Sequence, residues 1–559
     1  MTAPSPFARP GFAPGSAGRP DRGPLPLFPT PSVKAVINLL AACWAIGGGA
    51  RLAADAADPG VQVTVAWDQP IGPAAIPSLG VVPNPLQRPG SRIRPCALAE
   101  LRDLHAEAVR YLAYCPYPRL AVAELLPPEG GRTSWDFSLI DPLVDDFMAA
   151  QAGRSVIMDF GTIPAWMFAT SAPKRIPDDP NETAWSYGGA FEPEDLRDQS
   201  LREVADYYAR LASWYTRGYF IDELGHRHNS GHHYKFAYWE VQNEPDIEHA
   251  GRGTDAGYFD PANARRYTRR YDAIVRAVRP VLPATKFVGA ALAHTATQAP
   301  FFAYFLDPKN HQPGVPLDVL SFHFYAKPPA GLGPSASCGV VFAQADGFLN
   351  CVSYLEILRR HLSPGTRLAA DELGLVLPGD FQQFYAPKGA DVSYPIPADY
   401  WNLNGALFAY LYARLSVLGV DIASVSQLVG FPSQFPSVSL IDWNTGRGNA
   451  RLQVLKLLVR DFPAGTQAVE TKVTAPHALF PPDSVSALGL LGRAGERRLL
   501  LVNKTSEPVP IALGLGAATV EAIDRTTGAT VQTKAYPKLA GFTLEGFGVA
   551  VVQLTPPRD

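Results

Sequence analysis

The sequence predicts an α/β chain: a (β/α)8 TIM barrel followed by a C-terminal antiparallel β-sandwich. Three observations predict it. Between residues 78 and 462, short apolar runs rich in β-branched residues alternate with longer segments of helical period, as in repeated β/α units around a parallel sheet. The runs number eight, the count that closes such a barrel, and their span exceeds the usual ~250 residues, which implies enlarged loops. Past residue 462 the texture changes to short alternating strands such as SALGLLGR, RRLLLVNK and FGVAVVQL, separated by Gly, Pro and Asn turns. A chain of 559 residues, 47% hydrophobic, can bury a core of that size and more than one domain.

The elements follow in order. Residues 1–57 begin with a Pro-rich lead, nine of the 54 prolines falling within the first 33 residues, and no hydrophobic period there can offset the entropy of ordering it. After Lys34 come sixteen uncharged residues, AVINLLAACWAIGGGA, then Arg51 and LAADAADPG. That is short of the ~20 apolar residues a membrane span needs, but it suits a secretory signal cleaved within residues 54–57. The expectation is a secreted or periplasmic protein, cytoplasmic if the segment is instead a buried helix, with no membrane span in the mature chain. Residues 58–77 carry VQVTVAW, whose alternation marks a half-buried strand expected to join the sandwich. Within the barrel, residues 78–462, strands are expected at 79–83, 109–115, 155–160, 236–241, 286–291, 319–324, 367–370 and 423–429. Helices are expected at 97–108, 139–152, 193–217, 261–278, 348–361, 398–418 and 449–462. Residues 463–559 complete the sandwich.

Composition removes several functions. Lys and Arg total 49 against 52 Asp and Glu, so no broad basic field exists for nucleic acid or anionic membrane. Cys43 would leave with the signal. Export would allow disulfides Cys96–Cys115 and Cys338–Cys351, the second closing a short Gly/Pro/Ser-flanked loop, whereas retention inside leaves buried thiols. No CxxC pair occurs, and the segment from His226 to His233, with four of eleven histidines, lacks an HExxH frame. It reads as a structured loop before the fourth strand, its imidazoles bonded to backbone, and no metal or other cofactor is expected.

Catalytic groups of a barrel gather at the C-terminal ends of its strands. The fourth strand, KFAYWEVQ, runs into Asn243-Glu244-Pro245, and the seventh, TRLAAD, into Glu372-Leu373-Gly374. Two carboxylates facing each other across one mouth are what glycosidic cleavage requires, one protonating the leaving oxygen while the other attacks or activates water. Asn243 is placed to donate to a sugar hydroxyl. The sixth strand ends in His323 and Tyr325 at alternate positions, hence on one face, with the tyrosine hydroxyl within reach of Glu372.

These residues carry a resemblance. Asn243-Glu244-Pro245, Glu372 in Asp371-Glu372-Leu373-Gly374, and the His323/Tyr325 pair resemble the glycoside hydrolases of clan A, and most of all family 39. Trp135-Asp136-Phe137, Ile163-Pro164-Ala165-Trp166 and Asp442-Trp443-Asn444-Thr445-Gly446 agree with it. The resemblance covers residues 78–462 and implies retaining hydrolysis, Glu244 as acid/base and Glu372 as nucleophile, with β-xylosidase-like action first. α-L-iduronidase-like, arabinosidase-like or endo-acting specificity on a polysaccharide, a transglycosidase, and a non-catalytic carbohydrate-binding protein on the same scaffold are the alternatives. Leu373 departs from the aromatic residue many clan members carry there.

A saccharide site also needs aromatic platforms. Trp166, Tyr325, Tyr385, Tyr394, Tyr400 and Trp401 lie in strand-end loops, Trp166 and Trp401 being the named substrate-binding candidates, and the Gly/Pro-interrupted loop 378–399 is long enough to overhang the mouth. The expected partner is an oligosaccharide or polysaccharide.

Overall fold

The computed structural model describes residues 60–114, 116–169, 175–184, 195–247, 259–380, 396–431, 435–475 and 482–556. The proline-rich lead, the signal-like segment, Cys115, Tyr385 and Tyr394 lie outside them.

The first described element is β1 (Val61–Pro73), and a closed parallel barrel follows it. Its strands are β2 (Ile76–Val81), β3 (Val109–Leu112), β4 (Val156–Asp159), β7 (Tyr238–Glu240), β8 (Lys286–Leu292), β9 (Val319–Ala326), β10 (Arg367–Leu375) and β11 (Ile422–Val425), with a hairpin of β5 (Tyr219–Ile221) and β6 (Arg227–Asn229) inserted before β7. Barrel neighbours follow chain order, and β10 and β9, β11 and β2 close the ring. The predicted TIM barrel is the observed one.

Two layers of inward side chains set up the site. Ala108, Ile157, Val288, Val319, Ala369 and Ile422 form an apolar plug. Strand side chains repeat their direction every second residue, so the next inward layer is read two positions on: Arg110, Asp159, Ser321, Asp371 and Ser424, each on average almost wholly buried. Glu240, two residues after Tyr238, belongs to the same layer. The lumen is thus apolar below and charged just under its mouth.

The expected elements shift in instructive ways. The first barrel strand begins at Ile76, three residues ahead of the expected position, directly after β1. The seventh strand does not stop before Glu372 but runs on to Leu375, with a register shift between Ala370 and Glu372 against β9. A helix unforeseen in the sequence, Ala299–Leu306, lies between β8 and β9. The helix expected at 348–361 starts at Pro334 and spans Pro334–Leu362. That overturns the Cys338–Cys351 disulfide: thirteen residues of helix rise ~20 Å, far beyond the ~7 Å Cα limit of a disulfide. Both are free thiols, as is Cys96.

The C-terminal domain comprises β12 (Gln467–Thr474), β13 (Val485–Leu491), β14 (Arg497–Asn503), β15 (Val509–Leu515), β16 (Ala518–Ile523), β17 (Gln532–Tyr536), β18 (Leu539–Leu544) and β19 (Val549–Leu554). With β1 they hydrogen-bond in the order β17-β16-β19-β14-β13-β12-β1-β15-β18. All pairs are antiparallel except β1 with β15, which is parallel, so the expected pure antiparallel arrangement needs that correction. Among the described residues no helix is long and apolar enough to cross a membrane.

Candidate active site

The site is assembled from the ends of β3, β4, β7, β9 and β10. At the end of β7 the chain adopts positive φ at Gln242 (64°) and again at Glu244 (50°), a conformation uncommon outside glycine, which breaks the strand and turns Asn243 and Glu244 in succession. The turn is held from β8: Glu244 N–H donates to Ala291 O at 3.0 Å, and the Asp246 carboxylate accepts the backbone N–H groups of Ala293 and His294, both at 2.9 Å. On β10 the register shift acts like a β-bulge, which re-aims a side chain, and the consecutive residues Asp371 and Glu372 both approach Arg110.

The structure brings the predicted pair together. One carboxylate oxygen of Glu244, one of Glu372 and a ring nitrogen of His323 all lie within 4.8 Å of one another. Glu372 Oε1 accepts from Arg110 Nη1 at 2.5 Å and Oε2 from the Tyr325 hydroxyl at 2.6 Å. His323 Nδ1 lies 2.9 Å from Glu244 Oε1 and 3.8 Å from Glu372 Oε2. Asn243 Oδ1 accepts from Arg110 Nη2 at 2.7 Å, which orients the amide so that its nitrogen points the other way. Glu244 keeps some solvent exposure, whereas Glu372 is 8% exposed and Arg110 1%.

The electrostatics differ at the two glutamates. Burial pushes the Glu244 carboxyl above its ordinary range; the hydrogen bond and charge of His323 oppose that rise, and the neighbouring Glu372 charge adds to it. Glu372 sits between a guanidinium and a phenol. Burial alone would lower the proton affinity of His323, but Glu372, Asp371 and Glu244 together hold it well above the usual imidazole value. Burial likewise works against the Arg110 cation, and Glu240, Asp371, Glu372 and Asp159 outweigh it. Burial raises Asp159 to about 7 despite Arg110, and raises Glu240 well above the carboxylate range, while Arg110 and His323 hold Asp371 below it against burial.

Glu244, His323 and Glu372 present the spacing of a metal ligand set. Their surroundings are unlike one, since both oxygens of Glu372 already accept hydrogen bonds, from Arg110 at 2.5 Å and from Tyr325 at 2.6 Å.

The two tryptophans have other partners. Trp166 donates its indole N–H to Glu124 O at 2.9 Å, and the Arg197 guanidinium lies 4.4 Å from its ring centroid, covering one face. Trp401 packs edge-on against Tyr400, 5.1 Å between centroids, and Tyr400 is core, its hydroxyl donating to Leu375 O at 2.6 Å with Ser437 O 3.0 Å away. The histidine-rich segment supplies β6 of the β5–β6 hairpin and the stretch that follows it. Its imidazoles meet carboxylates rather than the expected backbone: His228 with Asp222 at 2.9 Å, and His232 with Asp141 at 3.4 Å.

Sequence reasoning missed Arg110, Asp159, Glu240 and Asp371. The signal was available: a charged residue inside an otherwise apolar parallel strand, as in VRYL, VIMD and YWE, must find partners in the lumen.

The fold and its C-terminal domain have known counterparts. A family model for the C-terminal immunoglobulin-like domain of D-apionate lactonase matches residues 482–552. A glucosidase from Croceicoccus marinus shares the fold at 17% identity and TM-score 0.54, covering 90% of this chain and 100% of that one. So does an α-L-arabinofuranosidase from Thermotoga maritima, at 14% identity and TM-score 0.54, covering 88% and 99%. An arabinofuranosidase of family 51 from Xanthomonas axonopodis pv. citri does the same at 15% and 0.56, covering 89% and 100%. At these identities the likeness is one of fold, a parallel eight-stranded barrel followed by a β-rich domain, and it does not mark out family 39. No curated protein sequence matches the chain significantly.

Proposed function

We propose that the protein is a retaining glycoside hydrolase whose nucleophile is Glu372 and whose acid/base is Glu244. The observation that carries this reading is the approach of their oxygens to within 4.8 Å. Retaining enzymes place the two carboxyl groups ~5–5.5 Å apart, while inverting enzymes leave a wider gap for water. The surroundings match the roles. Glu372, supported by a guanidinium and a phenol O–H, is equipped to carry charge, and Glu244, burdened by burial, to carry a proton. In the first half-reaction a Glu372 oxygen bonds to the anomeric carbon as the glycosidic C–O bond breaks, and the Glu244 proton passes to the leaving oxygen. In the second, Glu244 takes a proton from water as that water attacks the same carbon and Glu372 departs. Asn243, its oxygen fixed by Arg110, offers its amide N–H groups to a hydroxyl beside the reacting centre. The substrate is a glycan, with a β-xyloside the first to try and an arabinoside the second, and export places the enzyme outside the cytoplasm.

A lactone hydrolase is the second reading, favoured by the C-terminal match to a D-apionate lactonase domain. One comparison separates the two. Turnover of a panel of aryl glycosides should fall about 10³-fold or more in Glu372→Ala, and added azide should restore part of it as glycosyl azide of inverted configuration. Hydrolysis of aldonolactones with no turnover on any glycoside would overturn the glycosidase reading, and so would the absence of a rescued azide product.

A further inference from the structure

Asp371 has no part in the two steps above, yet it sits wholly buried directly before Glu372. A carboxylate drawn out of water needs close partners. Those of Asp371 are His323 Nε2 at 3.4 Å, Arg110 Nε at 3.6 Å and the neighbouring Glu240 carboxyl. Two residues beyond the inward Ala369, it faces the lumen and reaches the opposite ring nitrogen from the one that meets Glu244.

We propose that Asp371 is a positioning residue that acts through His323, fixing Nδ1 as a hydrogen-bond donor to Glu244 Oε1 and so assigning the catalytic proton of Glu244 to its other oxygen, Oε2. This rests on the glycosidase reading for its consequence, though not for its geometry. A neutral imidazole buried at this place could carry its one proton on either nitrogen. With the proton on Nε2, Nδ1 becomes an acceptor, and the proton of Glu244 is drawn into a hydrogen bond along the 2.9 Å contact, away from a leaving group. Asp371 at Nε2, 3.4 Å away, and Glu372 at Nδ1, 3.8 Å away, bracket the ring with negative charge and together favour a proton on both nitrogens, so that Nδ1 donates and Oε1 of Glu244 accepts. Every other ionisable group facing the imidazole bears on the same outcome. Glu244 faces it from the loop after β7, and Asp371 and Glu372 from β10, while Arg110, Glu240, Asp159 and Tyr325 bear on it through Asp371 and Glu372. Burial works against the cation at His323, and the Asp371 carboxylate, 3.4 Å from Nε2, opposes burial.

The test is Asp371→Asn in the full chain, read in two ways. By ¹⁵N NMR of histidine-labelled protein, His323, assigned by its loss in His323→Asn, should be doubly protonated at neutral pH in the native chain. In Asp371→Asn it should titrate within the neutral range. Kinetically, aryl glycosides of the sugar the native enzyme cleaves are compared with dinitrophenyl and unsubstituted phenyl leaving groups. The phenyl glycoside depends on acid assistance and should lose about 100-fold in kcat with KM little changed, while the dinitrophenyl glycoside should lose only a few-fold. A merely structural role would depress both alike, and equal losses, or a His323 that stays doubly protonated in the variant, would overturn the proposal. If Asp371→Asn does not fold, His323→Asn must show the same leaving-group split, and its absence is equally decisive. Should the native chain cleave no glycoside at all, the glycosidase reading fails while the NMR titration still decides the Asp371–His323 linkage.

Discussion

Glu124, buried, and Glu223, half-buried, are neighbouring carboxyls, and the consequence can be worked out group by group. Glu223 Oε2 accepts from Trp135 Nε1 at 3.2 Å and lies 3.3 Å from Arg210 Nη1. Glu124, 1% exposed, has no such cation to itself; burial first, then the hydrogen bond and charge of Glu223, raise it to about 9. Burial would raise Glu223 too, but the Glu124 hydrogen bond leads the effects that lower it. The proton therefore rests on Glu124. A carboxyl with raised folded-state affinity takes up a proton on folding, so the stability it allows is full below the ordinary carboxylate value near 4.5 and is lost as pH rises toward about 9. Glu124→Gln keeps a donor toward Glu223 and removes the titration. It should therefore be more stable than the native chain by at least ~1 kcal/mol near pH 8 and near neutral at about pH 5, as read by denaturant midpoints. An advantage of equal size at both pH values would contradict the raised Glu124 carboxyl. The same logic of burial explains why Arg110 needs its ring of acids, and why it was hard to see: in VRYL it reads as an interruption of an apolar strand rather than a member of a site.

At the scale of elements, β10 decides more of the site than any other strand. It carries Asp371 and Glu372 past the lumen and ends beneath Arg451, which is fully buried and donates to Leu373 O at 2.8 Å. Gly374 is the reason these groups fit. A Cβ there would stand 2.9 Å from Arg451 Nη2 and 3.2 Å from the Tyr325 ring, so a methyl group must push one of them aside. Gly374→Ala is thus expected to lose about 10-fold or more in kcat by misplacing the Tyr325–Glu372 contact, with a stability loss of ~1–3 kcal/mol by thermal unfolding. An alanine variant with native kcat would show that the contact tolerates the shift. Glu244 and Glu372 were legible in the sequence because each follows an apolar run that a barrel must end at its mouth. The register shift that brings Glu372 to Arg110 directly after Asp371 was not, since one extra residue in a ladder leaves no mark on hydrophobic period. The Pro334–Leu362 helix was misread for a related reason: Gly339 and Gly347 weaken helix propensity. Apolar contacts at Val341, Phe342, Ala345, Phe348, Leu349 and Val352 override them.

The whole molecule is one folding unit from β1 onward because its two domains share a core. Along β14, Leu499 and Leu501 belong to the cluster inside the C-terminal sheet, whereas Leu500 and Val502 belong to the barrel's cluster. Along β19, Ala550 and Val552 face one way, and Val549 and Val551 the other. Period-2 alternation, read from sequence as one buried and one wet face, here has two buried faces. Polar contacts close the same seam: Asn402 Nδ2 donates to Asp524 O at 2.8 Å and Gly528 O at 2.9 Å, and Arg460 bridges Asp461 and Glu521 at 2.6 and 2.5 Å. The C-terminal sheet is therefore a wall of the barrel rather than a tethered binding module. A chain cut after residue 463 would expose the helical surfaces that Leu488, Leu490, Leu500, Val502, Ile523, Phe547, Val549 and Val551 now cover. At roughly 1.5–3 kcal/mol for each large apolar side chain that loses its burial, several such losses exceed the ~5–15 kcal/mol of a whole native state. The truncated barrel should be insoluble or unfolded, and the intact chain from residue 60 should melt in a single calorimetric transition with matching van't Hoff and calorimetric enthalpies. A soluble, folded and active barrel lacking residues 464–559, or two separated transitions in the intact chain, would show instead that the seam is a contact between independent domains.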